Sequence, residues 1–358
     1  MAHTTPGISL SATSQMPQGK PHSINEYTSV KKPPHLDRLT SATHQESAVE
    51  SVTIDVDDGP DGFVPGFLHM PPNFTAPDPF QEHHRTAAIL LSGAGGGVTG
   101  PSSIYLSLAC KLATLSSGIP TLRLDYRYPA RNKHCVADVY AGMKYLQDLY
   151  GLDRFVLVGW SFGGAPVFAV AGADQRVIGC ATVASQTVEA DGIRKLAPRP
   201  VLLLHGTGDR TLSHACSERL YAMYGDKGER QLELFDGDNH ALMGNAGTAE
   251  GMLCEFIARC AGVEVDEGLR REVVETELMN DGEREELMQR GGDLRGAERS
   301  HSHDKPSETT TATPSSHPGR SRTPRGTWIA GAAITPSATD HHRPPPDHRA
   351  LWERGESR

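Results

Sequence analysis

Between about residue 50 and about residue 262 the chain alternates two hydrophobic rhythms. "VTIDVDD" (52–58) and "GFVPGFLHMP" (62–71) alternate apolar and polar positions about a "DDGPDG" turn, the pattern of a hairpin of two half-buried strands. "AAILLSG" (87–93) is instead a short, continuous apolar run ending in glycine, which suits a strand buried on both faces. "SSIYLSLACKLATLSSG" (102–118) then takes up helical spacing, with Ile104, Leu108, Leu112 and Leu115 on one face and Gly118 where a C-cap falls. The pair repeats. Strands are predicted at 120–126, 154–160, 177–185, 199–206 and 230–236. Helices are predicted over 135–150, 165–172, 213–225 and 249–262, with a brief helical piece near "GIRKLA".

Strands that alternate with helices imply right-handed crossovers and a parallel sheet. The expected fold is therefore α/β: a doubly wound, mostly parallel sheet of about eight strands with helices on both faces and an antiparallel hairpin at one edge. The flanks differ in composition. Residues 1–48 are rich in turn formers and read as a disordered arm. Residues 49–262 read as the globular domain. Residues 263–358 read as a mostly disordered tail, charged at first, with one amphipathic helical stretch, then low in complexity.

Composition narrows the function. The chain has 358 residues and a formal net charge of -9, which gives no concentrated positive charge for nucleic acid or an acidic membrane. No run approaches the roughly 20 apolar residues of a membrane span. The first thirty residues contain no apolar core of a secretory signal. The six cysteines form no CxxC pair and sit in apolar or helix-like segments, as buried free thiols do in a reducing compartment. The expectation is a cytoplasmic protein acting on a small molecule, without cofactor or metal. The His-rich stretches "HSHDK" and "DHHRPPPDH" match no closed zinc site.

The chemistry gathers where sheet strands end. "FVLVGWSFGGAPVFAVAG" (155–172) runs from a buried strand into a helix through Gly159-Trp160-Ser161-Phe162-Gly163. A serine at so sharp a turn is strained and presents its hydroxyl, and the positions two before and two after must be small. Ser161 is the candidate nucleophile. Pro166 falls within the first helical turn, where a missing N–H is tolerated. A serine needs a base, and the base an orienting acid. Asp209 follows the strand "VLLLHG", and His240 follows the strand "LELF", so the order is Ser161, Asp209, His240. His205 competes as base but ends a buried run. Asp238 competes as acid, but two positions from His240 it is poorly placed to reach the ring. His134 and His214 fall on helix-side segments.

Attack on a carbonyl builds negative charge that preorganised donors must receive. The N–H of Phe162, next after the serine, is one candidate. The glycine-rich stretch "SGAGGGVTG" (92–100) offers Ala94 and Gly95 as others. A phosphate loop is the rival reading of those glycines. They do not fit G-x-G-x-x-G, and no Lys-Ser/Thr pair follows.

"LLSGAGGG", "GWSFGG", "LLLHGTGDRTL" and "FDGDNHAL", in this order over residues 50–262, resemble the α/β-hydrolase superfamily. Within it the chain is similar to lidless members of the dienelactone hydrolase type and to the catalytic domains of prolyl oligopeptidase-type serine peptidases. The resemblance implies Ser161 as nucleophile, Asp209 as acid and His240 as base, with oxyanion donors from Phe162 and the Ala94–Gly95 region. Two departures stand out. Dienelactone hydrolases proper use cysteine where this chain has Ser161, and Ser92 stands where the HGGG-type loop opens with histidine. Only about fifteen residues separate "VIGCATVAS" from "RPVLLLHG", so no large cap domain is expected.

The implied reaction is hydrolysis of an ester, thioester or amide through an acyl-enzyme. Trp160, Tyr126 and Tyr128 are candidates for an apolar acyl pocket, with ordinary packing as the competing role. The alternative to the enzyme is a catalytically inactive protein of the same fold that binds a small molecule or a partner.

Overall fold

The computed structural model describes residues 24–39, 47–58, 62–75 and 85–293. Its sheet has eight strands: β1 (Ala48–Asp55), β2 (Phe63–Met70), β3 (Thr86–Leu91), β4 (Thr121–Leu124), β5 (Arg154–Trp160), β6 (Val177–Val183), β7 (Val201–Gly206) and β8 (Arg230–Phe235). They lie in the order β1-β2-β4-β3-β5-β6-β7-β8. β2 is antiparallel to both its neighbours and every other pairing is parallel. The predicted edge hairpin and parallel sheet are both present.

The continuous apolar runs have a simple cause. All six residues of β3 are buried, and their side chains alternate between two cores. Ala88 and Leu90 face one side with Val156 and Val158 of β5. Ala87, Ile89 and Leu91 face the other with Phe155 and Leu157. Helices α1 (Ile104–Thr114) and α5 (Ala246–Cys260) cover the first face, and α2 (Asn132–Tyr150), α3 (Gly164–Ala173) and α4 (Ala215–Tyr224) cover the second. α2 buries Cys135, Val139, Gly142, Met143 and Leu146, a helical stripe, and stops at left-handed Gly151, whose N–H reaches the Gln147 carbonyl at 3.0 Å. α1 ends four residues short of Gly118, which sits instead in the following turn with φ +75°. Residues 184–200, between β6 and β7, hold only a short helical turn at Asp191–Lys195, so no cap is inserted there.

Two features depart from the expected pattern. β2 is not half-buried: seven of its eight residues are covered. The second cover comes from residues on both flanks. Ile24, Tyr27 and Val30 from the N-terminal segment join Phe67, Val98, Leu106, Met279 and Leu287 in one apolar cluster. The fully buried guanidinium of Arg123 on β4 ties that segment down, donating to the carbonyls of Val30 (3.1 Å), Lys31 (2.8 Å) and Val98 (3.0 Å) and to Nε2 of His69 (2.9 Å).

The core also continues past residue 262. Val273, Leu278 and Met279 are fully buried beyond it. Helix α6 (Asp281–Arg290) opens on a capping box between Asn280 and Glu283. Buried Glu250 of α5 pairs with Lys111 of α1 at 2.6 Å and with Arg284 of α6 at 3.0 Å. Packing thus extends beyond the domain boundaries expected at 49 and 262. The remainder of the expected arm and tail, residues 1–23, 40–46 and 294–358, lies outside the described residues. Among the described residues no helix is long and apolar enough to cross a membrane.

Candidate active site

The sequence candidates lie on loops at the carboxyl ends of the parallel strands β3, β5, β7 and β8, the end of the sheet where ligands gather in such folds. Ser161 takes the first position after β5, with φ +55°, a left-handed conformation rare for a side-chain-bearing residue. It is half-buried. The flanking glycines are required sterically. A Cβ at Gly159 would collide with the carbonyl of Gly163, and one at Gly163 would lie 2.6 Å from the carbonyl oxygen of Ser92. The second contact means that the turn is packed directly against the start of the 92–100 loop.

Asp209 and His240 are joined. β7 pairs with β8 through Gly206 and Phe235, and the Thr207 N–H continues that ladder to the Phe235 carbonyl at 2.8 Å. His240 Nδ1 donates to Asp209 Oδ2 at 2.6 Å. The other carboxylate oxygen accepts the backbone N–H groups of Thr211 (2.7 Å) and Leu212 (2.9 Å). Burial alone would raise the Asp209 carboxyl. Hydrogen bonds from His205 and His240, the Leu212 N–H and the nearby imidazole charge outweigh it and hold the group well below the usual carboxylate range. Asp209 is thus a fixed anion behind His240.

The competing residues have other work. His205 Nε2 faces two acceptors, Asp209 Oδ2 at 3.1 Å and the Leu212 carbonyl at 3.0 Å, so that nitrogen carries a proton. Its Nδ1 lies 2.7 Å from the Ser217 hydroxyl. Fully buried and engaged at both nitrogens, His205 steadies Asp209. Asp238 accepts the N–H groups of Asn239 and Gly244 and the Asn245 amide, closing the loop that carries His240.

Trp160 links the serine turn to the histidine loop. Its indole N–H donates to the His240 carbonyl at 3.0 Å, and the two rings lie 5.5 Å apart. Trp160 is only 4% exposed. Tyr126 is fully buried and meets the Phe162 ring edge-on at 6.1 Å. Tyr128 is half-buried with its ring against His134 at 4.8 Å. Ala94 is exposed and Gly95 half-buried at the tip of the 92–100 loop, and among the described residues neither amide N–H is used in a recorded hydrogen bond.

A family model described as the alpha/beta hydrolase fold matches residues 63–219. That match runs from β2 into the first half of α4, the span that carries Ser161 and Asp209, and it agrees with the strand order. The chain has an α/β-hydrolase fold. Solved structures are similar to it at low identity. They include dienelactone hydrolase from Anabaena variabilis (15% identity, 60% of this chain and 99% of that one, TM-score 0.49). A serine hydrolase without lid from Xanthomonas campestris matches at 17% identity over 62% and 97%, with a TM-score of 0.46. The acylaminoacyl peptidase of Pyrococcus horikoshii matches at 14% identity over 65% of this chain and 44% of its own, with a TM-score of 0.49. No curated protein matches the chain in sequence.

In this α/β-hydrolase fold the glycine-rich loop after β3 is braced by two carboxylates that sequence reading passed over. Asp125, just past β4, accepts the Gly97 N–H and the Tyr27 hydroxyl, both at 2.9 Å. Asp293, just past α6, accepts from Ser92, Thr99 and Gly100. Asp125 stood in the run "TLRLDY", where a carboxylate at a strand end was a signal. Asp293 stood in a polar stretch with no local pattern to mark it.

Proposed function

We propose that this protein is a serine hydrolase that cleaves an ester, thioester or amide through an acyl-enzyme on Ser161. The observation that carries the reading is the pairing of a strained, half-buried Ser161 at a strand-to-helix turn with a His240–Asp209 couple at 2.6 Å in an α/β-hydrolase fold. His240 takes the proton of Ser161 as its oxygen attacks the carbonyl, and returns it to the leaving group. Asp209 keeps the Nδ1 proton in place, so Nε2 is the basic nitrogen, and stabilises the imidazolium. The N–H groups of Phe162, Ala94 and Gly95 receive the oxyanion. Water then enters by the same route in reverse, activated by His240, and releases the acid.

The short β6–β7 connection leaves no inserted cap over Ser161, which supports substrates whose acyl or leaving group extends into solvent. Trp160 and Tyr126 serve chiefly to pack the turn, through the His240 carbonyl and the Phe162 ring, and Tyr128 packs against His134 instead.

The test is covalent. The full chain is expected to react with a fluorophosphonate probe and to hydrolyse p-nitrophenyl esters, and Ser161→Ala is expected to do neither while keeping its melting temperature. A folded wild-type chain that takes up no probe and turns over no member of an ester and aminoacyl-amide panel would sink the reading.

A further inference from the structure

The loop proposed to hold the oxyanion has no regular structure of its own, and its amides serve only if something else fixes them. Asp293 meets that need. One carboxylate oxygen accepts the Ser92 hydroxyl at 2.5 Å and the Gly100 N–H at 2.8 Å. The other accepts the Thr99 N–H at 2.9 Å and the Thr99 hydroxyl at 2.6 Å. Ser92 lies before the Ala94–Gly95 tip and Thr99 and Gly100 lie after it, so one side chain closes the loop into a ring. The turn that carries Asp293 adds a backbone bond, from the Val98 N–H to the Gly291 carbonyl at 3.1 Å. The approach is close: a Cβ on Gly97, where φ is +105°, would lie 2.6 Å from the carboxylate carbon. Asp293 is 5% exposed and lies well outside the residues 63–219 that the family model matches.

We infer that Asp293 is a positioning residue for catalysis: it holds the 92–100 loop so that the Ala94 and Gly95 amides point at the carbonyl oxygen under attack. The inference rests on the hydrolase reading above. A carboxylate suits the place better than its amide. All four groups donate here, and a carboxylate offers only acceptors, whereas an asparagine would turn its NH2 group against one backbone N–H, that of Gly100 or of Thr99, while the hydroxyl on that side can turn to accept. Asp293→Asn therefore keeps the shape and breaks one of the ring's two backbone bonds. Asp293 is buried and both its oxygens are engaged with the loop, so its loss acts through the loop.

The experiment uses the full chain and a p-nitrophenyl ester, with active sites counted by fluorophosphonate titration. Asp293→Asn is expected to lower kcat about 10- to 100-fold, a part of what an oxyanion donor supplies, with KM nearly unchanged. Affinity for a trifluoromethyl ketone, which forms a tetrahedral adduct on the serine, is expected to fall by a similar factor. Asn280→Ala is the control. It removes the capping box of α6 and lowers the melting temperature of the same segment, yet kcat per active site is expected to stay at the wild-type value. Should Asp293→Asn fail to fold, Thr99→Val removes one of the four bonds and is expected to lower kcat several-fold.

Wild-type kcat and inhibitor affinity in Asp293→Asn, or in Thr99→Val if it alone folds, overturn the inference. So does a fall in kcat in Asn280→Ala equal to that in Asp293→Asn, because the effect then follows stability. An inactive, unlabelled wild type overturns the hydrolase reading and this one with it. An active wild type with an unchanged Asp293→Asn overturns this one alone.

Discussion

Ser161 occupies a left-handed conformation that costs on the order of 1–3 kcal/mol, and it persists because the surroundings leave no alternative. The Gly163 backbone is pressed against the end of β3, and the Trp160 indole is bonded to the histidine loop. The same over-determination holds for Asp209, whose two oxygens receive four donors. Asp209→Asn keeps the volume but presents an NH2 or a neutral oxygen to His240, which loses its fixed tautomer. Steady-state kinetics at saturating ester are expected to show kcat lower by roughly 10⁴-fold, with the protein folded. A loss under about tenfold would show that His240 does not need this carboxylate.

Among the elements, α6 contributes most that was not foreseen. Its sequence is polar, and only Arg284, Leu287 and Met288 are buried. Arg284 reaches Glu250, which Lys111 also contacts, and Ser107 donates to the same carboxylate at 2.6 Å. Glu250 is buried, and burial works to raise its carboxyl, but the two cations and their hydrogen bonds hold it below its ordinary value. One anion thereby joins α1, α5 and α6. Glu250→Gln leaves two buried cations without their partner, which typically costs about 3–5 kcal/mol. Urea denaturation of the full chain is expected to show a loss of that order. A loss below about 1 kcal/mol would mean that water reaches Lys111 and Arg284.

At the scale of the whole molecule, two buried carboxylates near the site respond to pH in opposite senses. Asp209 has a depressed pKa, so its contribution to stability is present above the unfolded carboxylate value and is lost as pH falls toward the folded one. Asp293 is pushed up to about 6 by burial, against the pull of its hydrogen bonds from Ser92, Thr99 and Gly100. Its charge in turn works to raise the neighbouring Arg123 and Tyr105. Between about pH 4 and pH 6 the folded state therefore holds a proton on Asp293 that the unfolded chain has released, and stability falls as pH rises. The full effect is at most roughly 3 kcal/mol. Denaturation of wild type and Asp293→Asn from pH 4 to pH 8 is expected to show the wild type losing ground to the variant up to about pH 6 and no further change above. A constant difference across that range would contradict it.

Much of this molecule can be read from its residues alone. The continuous apolar runs at 87–91 and 154–160 demand burial on both faces, and their alternation with helical stripes demands a parallel sheet. Once that sheet is granted, Ser161, Asp209 and His240 stand at its strand ends by chain order, because each belongs to a local strand–turn pattern of a few residues. What local patterns cannot carry is contact across tens of positions up to about two hundred. Arg123 reaching Val30, Glu250 joining Lys111 to Arg284, and Asp293 closing the loop at Ser92 and Thr99 each depend on one side chain meeting backbone or charge brought up by the fold. Arg123 sits on a four-residue strand, Glu250 is a polar position of an amphipathic helix and Asp293 ends a polar stretch, so the burial of each is decided only when the elements pack. The sequence by itself determined the architecture and the candidate chemistry, since both follow from period and order. Only the tertiary structure decided how far the domain extends and what holds the glycine-rich loop, since both depend on burying charges whose partners lie far away in the chain.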